Sequence, residues 1–139
     1  MDCSARFKNE REALIQNRAA NQVLSMSSCI FCRIIAGELP GEILYSDGQA
    51  TAFRDQHPIA STHVLIVPNE HIASINDLAE KDEQLIGHLF RIASEIARQE
   101  GIAETGYKLI ANTGRGAGQT VFHLHLHLIG GRQMPHLFG

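Results

Sequence analysis

The sequence lacks tryptophan, and only 6% of its 139 residues are aromatic. It also lacks any apolar run approaching the roughly 18 residues that suggest a membrane-spanning helix. The composition, with 44% hydrophobic and 19% charged residues, is typical of one soluble globular domain. We therefore expect neither a membrane anchor nor a second catalytic domain.

An excess of positive charge is also absent: 12 Lys and Arg residues face 15 Asp and Glu residues, and the formal net charge is −3. A protein that binds a nucleic-acid polymer through its phosphates usually has a basic surface, so no such partner is expected. Cysteine is scarce, and three cysteines are an odd number that does not suit a disulfide framework. We expect a reducing, cytoplasmic compartment.

Residues 1–25 lack the continuous apolar core of a secretory signal. They carry Asp2, Glu10 and Glu12, and transit peptides usually avoid acidic residues. Their apolar residues recur only weakly at helical intervals. Because the pattern of a folded core begins just after Met26, we predict an N-terminal extension over 1–25 and a single domain over 26–139.

Two helices are predicted in that domain. The segment 29–36 predicts a short helix that has Ser27 or Ser28 as its N-cap and stops at Gly37. Apolar residues repeat at helical intervals over 80–99, which predicts one long amphipathic helix.

Short apolar or alternating runs predict about five strands. The dipeptide Asp47-Gly48 favours a tight hairpin with positive φ angles, and the run 63–67 is apolar enough for a central strand. Strands linked mainly by hairpins, with one long helix, indicate an α+β domain around an antiparallel sheet. The predicted strands cover residues 42–45, 50–54, 63–67, 106–111 and 121–129.

Three histidines alternate with leucines in the last predicted strand. A strand would place His123, His125 and His127 on one face, about 6.5 Å apart, and the leucines on the other. Packing explains three such imidazoles poorly, which leaves a metal site or a phosphoryl-transfer site. A single catalytic metal bound by all three fits badly, because the outer two would lie about 13 Å apart and each metal bond is about 2 Å long.

Two further segments carry residues that suit chemistry. The glycine-rich stretch 112–120 can bring backbone N–H groups close to an anion, although a plain glycine-rich hairpin accounts for it too. The pair Cys29 and Cys32 suits metal binding, redox chemistry or simple burial of two small residues.

The His-x-His-x-His pattern and its flanks resemble the histidine triad (HIT) nucleotide-binding family. The segment 130–134, Gly-Gly-Arg-Gln-Met, resembles the tail of its Hint branch, whose members are adenosine 5′-monophosphoramidase-like. The resemblance covers residues 29–139 and implies a HIT-like fold. Further segments that match in family order are 30–31, 53–55, 63–68, 71–72 and 118–120.

This resemblance implies a hydrolase that cleaves purine nucleoside phosphoramidates, of the AMP-NH2 or AMP-lysine type, through a covalent nucleotidyl-histidine. Transferase relatives have glutamine at the position of His127, which favours hydrolysis here. A dinucleoside polyphosphate hydrolase and a non-catalytic purine nucleotide sensor or interaction module remain as alternatives.

The resemblance also implies individual roles. His125 would be the nucleophile, with its other nitrogen donating to a backbone carbonyl, His127 would assist the leaving group, and His63 would complete the site. A slot for the base would come from Ile30, Phe31, Ile34, Leu39 and Phe53. Other nucleotide contacts would come from Asp55, on the ribose, and from Gln56, Asn112, Gly118, Gln119, Thr120, His125 and His127.

A structural zinc ion is implied at Cys29, Cys32, His71 and His123, with no catalytic metal. The implied partners are purine nucleotides such as AMP and GMP, and a second copy of the chain. In the expected homodimer, the apolar tail 133–139 would lie near the other subunit's site.

Overall fold

The computed structural model describes residues 28–134 and confirms the predicted α+β architecture. Its helices are α1 (Ile30–Ile35) and α2 (Glu83–Gln99), and its strands are β1 (Ile43–Ser46), β2 (Ala50–Arg54), β3 (Thr62–Pro68), β4 (Tyr107–Ile110) and β5 (Leu126–Gly130). Short 3-10 turns occur at Ile75–Asp77, Glu80–Asp82 and Arg115–Ala117. The predicted extension 1–25 and the tail beyond Met134 lie outside the described residues. Within 28–134, no helix is long and apolar enough to cross a membrane.

The five strands form one antiparallel sheet in the order β1-β2-β3-β5-β4. All seven residues of β3 are buried, as predicted for a central strand. Pairing between β3 and β5 places Leu65 opposite His127 and His63 opposite Ile129. The two histidines therefore lie on adjacent strands near the middle of the sheet.

Alternation along the strands separates two apolar layers. On one face, α2 packs against Val64, Ile66 and Leu128. On the other face, α1 packs against Leu65 and Val67. Because side chains alternate between faces, His127 shares the α1 face with its partner Leu65. The histidine site lies on that face, away from the long helix.

The helix starts differ from the predicted ones. The N-cap of α1 is Cys29, not Ser27 or Ser28: the Cys29 Sγ accepts a hydrogen bond from the Cys32 amide (3.4 Å). The long helix begins at Glu83, because residues 80–82 form a separate 3-10 turn before it.

The β1-β2 hairpin forms as predicted, but its turn does not use a positive φ angle at Gly48. Instead, Asp47 Oδ1 accepts hydrogen bonds from the amides of Gln49 (2.7 Å) and Ala50 (2.8 Å). Its Oδ2 accepts from Tyr45 and from His88 Nε2 on α2. Burial alone would raise the pKa of Asp47, but these hydrogen bonds together lower it, so the turn is closed by a carboxylate.

The last strand begins at Leu126, so the predicted start at residue 121 is wrong. Residues before Leu126 leave the ladder because Pro68, at the end of β3, has no N–H to offer. The Leu124 amide donates to Ile72 O (2.6 Å) and His123 Nε2 donates to Pro68 O (2.8 Å). The first two triad histidines therefore lie in an irregular segment just before β5.

Candidate active site

A cavity of about 420 Å³ opens on the α1 face of the sheet. Its wall combines apolar side chains of α1 and β2 with polar groups of the loop after β2 and of the triad segment. This is the composition expected of a small-ligand site. The lining residues are Ile30, Phe31, Ile34, Gly41, Phe53, Arg54, Asp55, Gln56, His57, Leu65, Thr120, Val121, His125 and His127.

His125 lines this cavity, and one of its ring nitrogens carries a lone pair. Its Nδ1 lies 2.7 Å from the His123 carbonyl oxygen, which can only accept, so Nδ1 carries the proton. In the neutral ring, Nε2 then keeps a free lone pair. Burial lowers the pKa of His125, against smaller opposing effects of the His123 hydrogen bond and the Asp55 charge. The Phe31 ring packs against the imidazole in a T-shaped contact, with ring centroids 5.0 Å apart.

His63 and His127 form a hydrogen-bonded pair whose tautomers follow from the backbone. The Ile59 amide donates to His63 Nδ1 (3.2 Å), so neutral His63 has its proton on Nε2. That Nε2 lies 3.0 Å from His127 Nδ1, which it can reach only as a donor. The proton of neutral His127 is therefore on Nε2, the remaining nitrogen of a ring that lines the cavity.

Asp55 lies beside the same pair. Its Oδ2 is 3.3 Å from His63 Nε2, and its Oδ1 accepts from the His57 amide (2.8 Å). Burial, with His125 and His63 nearby, lowers the pKa of His127 to about 4, although Asp55 opposes the shift. At neutral pH His125 and His127 are therefore neutral imidazoles.

Asp55, His63 and His127 have donor atoms close enough to hold a metal ion, but the backbone argues for a proton there instead. A metal would need the lone pair of His63 Nε2, and the Ile59 N–H directed at Nδ1 keeps the proton on Nε2. These three residues are better described as a hydrogen-bonded group.

In a second cluster of possible metal ligands, by contrast, a histidine lone pair does face the other donor atoms. The donor atoms of Cys29, Cys32, His71 and His123 all lie within 4.8 Å of one another. His123 is fully buried and donates from Nε2 to Pro68 O, which leaves its Nδ1 lone pair facing Cys29 Sγ (3.4 Å) and Cys32 Sγ (3.5 Å). His71 Nδ1 lies 3.4 Å from Cys32 Sγ. A backbone acceptor that fixes the ligating tautomer is a common feature of metal-bound histidines, so the four residues fit a metal ion.

The triad histidines do not converge on one point. Both nitrogens of His123 face the cysteine cluster or Pro68, His125 Nδ1 faces a carbonyl, and His127 Nδ1 faces His63. The geometry thus argues against one metal bound by all three. The rings are also closer than the predicted 6.5 Å, because His125 and His127 meet edge to face with centroids 4.9 Å apart.

Comparison with known proteins places this geometry in a family. The HIT domain pattern matches residues 36–134. The chain belongs to the HIT domain family. Helix α1, with Cys29 and Cys32, precedes the matched region.

Several relatives share most of the chain. A purine nucleoside phosphoramidase of Escherichia coli (strain K12) is 51% identical over 105 residues, which are 76% of this chain and 88% of that protein. Protein HitA of Neisseria gonorrhoeae is 41% identical over 105 residues, 76% of this chain and 97% of that protein.

Solved structures of HIT proteins have the same fold. A HIT family hydrolase from Legionella pneumophila has a TM-score of 0.78 and 46% identity, covering 81% of this chain and 100% of that one. A histidine triad protein from Clostridium difficile has a TM-score of 0.78 and 36% identity, covering 82% and 99%.

Most of the residues predicted for the HIT site line the cavity, and some do not. Gln119 is buried within its loop: its amide group donates to Ala73 O (2.8 Å) and Val121 O (3.0 Å), and its Oε1 accepts from the Gly114 amide (2.9 Å). It shapes the glycine-rich loop and does not face the cavity. Those that line the cavity are Ile30, Phe31, Ile34, Phe53, Asp55, Gln56, Thr120, His125 and His127; Leu39, His63, Asn112, Gly118 and Gln119 do not.

Other lining residues escaped prediction. Leu65 and Val121 are apolar residues of predicted strands, which sequence does not distinguish from core residues, and His57 lies in a loop where no periodicity applies. Arg54 lines the cavity while its guanidinium pairs with Glu100 beyond the end of α2 (2.5 Å). Sequence spacing gives no indication of that long-range ion pair.

Proposed function

We propose that this protein hydrolyses purine nucleoside phosphoramidates through a nucleotidyl-His125 intermediate. The observation that carries the proposal is the His125 imidazole, whose Nδ1–H is bound to the His123 carbonyl and whose Nε2 lone pair is available to the cavity. The 51% identical purine nucleoside phosphoramidase supports a purine nucleotide with a P–N bond as the substrate.

The reaction would use two displacements. His125 Nε2 attacks the α-phosphorus, and the P–N bond breaks as the new N–P bond forms. The departing amine takes a proton supplied through His127 Nε2, with His63 hydrogen bonded behind it (3.0 Å). Water then attacks the nucleotidyl-histidine and gives a proton back to His127 Nε2. The N–P bond breaks, and the nucleoside monophosphate leaves while His125 is restored.

The cavity fits the parts of a nucleotide. Phe31, Ile34 and Phe53 form an apolar wall suited to a purine, and Asp55 offers a carboxylate suited to ribose hydroxyls. The neutral state of His127, with a pKa of about 4, leaves an N–H donor for a phosphoryl oxygen or the leaving group.

A comparison of substrates tests the proposal. In single-turnover assays, adenosine 5′-phosphoramidate should release AMP faster than diadenosine polyphosphates do. A preference for the diadenosine compounds would favour the dinucleoside polyphosphate hydrolase. Tight AMP binding without turnover of either substrate would favour a purine nucleotide sensor.

We further propose that Cys29, Cys32, His71 and His123 hold a structural zinc ion. Two thiolates and two imidazoles are a common tetrahedral zinc set, and His123 already directs an unprotonated Nδ1 toward both sulfurs. Zinc there would connect α1 to the segment that leads into His125, and it would not take part in the chemistry.

A cytoplasmic homodimer is proposed as the working form, with 26–139 as the HIT domain and 1–25 as an extension. Support for the dimer comes from β4, an edge strand that exposes Ile110, and from α2, which exposes Phe90. The proposed role of residues 133–139 at the partner's site follows from their apolar composition.

A further inference from the structure

A short chain of hydrogen bonds joins the segment after β5 to the His63–His127 pair. The Arg132 guanidinium donates to the Ile59 carbonyl (3.1 Å), and the Ile59 amide donates to His63 Nδ1 (3.2 Å). His63 Nε2 then lies 3.0 Å from His127 Nδ1. Arg132 is thus connected to His127 through two residues.

Polar contacts hold the Ile59 backbone in place. The Ile59 side chain is 58% exposed, so its own packing contributes little. A second contact supports the same loop, because Ser61 Oγ donates to Gly131 O (3.3 Å). Gly131 has a φ of +88°, and a Cβ there would overlap Ser61 Oγ. The close approach of the two segments explains why glycine precedes Arg132.

The Ile59 amide, together with the Asp55 carboxylate 3.3 Å from His63 Nε2, determines which protons the histidine pair can offer. While the Ile59 N–H points at His63 Nδ1, the proton of His63 stays on Nε2 and that of His127 stays on its own Nε2. If Ile59 moved away, His63 could carry its proton on Nδ1. Its Nε2 would then accept from His127 Nδ1, and His127 Nε2 would have no proton to give.

We propose that Arg132 is a positioning residue for the leaving-group proton: through Ile59 and His63 it holds His127 in the tautomer that carries its proton on Nε2. The inference rests on the proposed function for the part played by His127, whereas the tautomer of His63 can be measured without any substrate.

The kinetic test compares two leaving groups in Arg132→Ala, Arg132→Lys and a control, Arg98→Ala. Arg98 is an exposed arginine of α2 that pairs with Glu95, so the control makes the same charge change away from the loop. One substrate is an alkylamine phosphoramidate of AMP, whose amine must gain a proton to leave. The other is the 4-nitrophenyl ester of AMP, whose nitrophenolate leaves without one.

In Arg132→Ala, the single-turnover rate constant should fall roughly threefold to fivefold for the alkylamine, about the effect of losing one exposed hydrogen bond. For the nitrophenyl ester it should stay within about 1.5-fold of wild type, and AMP affinity should not change. Arg132→Lys should recover most of the loss because an ammonium group also donates to a carbonyl. Arg98→Ala should behave as wild type with both substrates.

Imidazole nitrogen NMR provides a readout that does not depend on turnover. His63 should be protonated on Nε2 alone in the wild type and should become a mixture of tautomers in Arg132→Ala. An equal loss with both substrates, no loss with either, or an unchanged His63 tautomer in Arg132→Ala would overturn the proposal. If wild type cleaves neither substrate, the proposed function fails, and the NMR comparison alone decides the positioning role.

Discussion

The pKa of His127, about 4, is a quantity that can be measured directly. At pH 5.5 such a group is about 3% protonated, whereas a histidine with the ordinary pKa of about 6.5 would be about 90% protonated. A chemical-shift titration of the His127 imidazole in the free protein should therefore show little change between pH 7 and pH 5.5. Titration with a midpoint near 6.5 would refute the reasoning.

Two substitutions should move this pKa in opposite directions. Burial is the largest cause of the low value, and the neighbouring His125 and His63 add to it, so His63→Ala should raise the pKa of His127. Asp55 opposes the shift, so Asp55→Asn should lower the pKa further. A change of the same sign in both variants would contradict the assigned causes.

The same shift predicts how stability depends on pH. In the unfolded chain His127 takes up a proton below about pH 6.5, and in the folded protein it does so only near pH 4. The unfolded state therefore binds more protons between these values. The contribution of His127 to the free energy of unfolding is therefore complete above about pH 6.5 and is lost as the pH falls toward 4. Urea denaturation at several pH values can measure this loss.

Further predictions concern the nucleophile, the metal and the two ends of the chain. His125→Ala should lower turnover roughly a thousandfold or more while AMP binding by calorimetry persists, and residual activity within about tenfold of wild type would exclude His125 as the nucleophile. Cys32→Ser should remove about one zinc per chain and lower the melting temperature by roughly 5 °C or more, while Cys3→Ser, the matched control, should do neither; protein purified without chelator and free of zinc would refute the site. Deleting residues 1–25 should leave the melting temperature and turnover nearly unchanged, and a large loss of either would show that the extension packs on the domain. Removing residues 133–139 should preserve a dimer in light scattering but change the relative rates among amine leaving groups, and a monomeric wild type at micromolar concentration would contradict the assembly.

Much of the fold could be predicted because burial leaves a periodic signal in the sequence. The nearly continuous apolar run of β3 predicts a central strand, and the 3.6-residue repeat of α2 predicts a helix with one buried face. The start of β5 could not be predicted, because the alternation of apolar residues begins at Val121, whereas pairing with β3 stops at Ile66 and Leu126, before Pro68 is reached. Strand register determines which residue lies opposite a proline, and a single sequence does not reveal the register.

The site was predictable where function requires a rare residue type. Three alternating histidines and a cysteine pair are poorly explained by packing, and the structure places them in two adjoining clusters. Tertiary contacts determine where the other side chains of the site point. Gln119 has a side chain suited to a phosphate, yet it is buried in its own loop, and Arg132 reaches Ile59 across a separation of 73 residues. Residue type alone cannot show where such side chains point.

The central claim is that His125 carries the nucleotidyl group during turnover, and trapping that intermediate tests it most directly. Protein mixed with an excess of adenosine 5′-phosphoramidate would be quenched within a single turnover under alkaline conditions, which preserve phosphorylated histidine, and then digested for mass spectrometry. The account predicts one AMP moiety on His125 in wild type and none at that position in His125→Ala. Release of AMP without any labelled histidine, or a label on another residue that persists in His125→Ala, would contradict it.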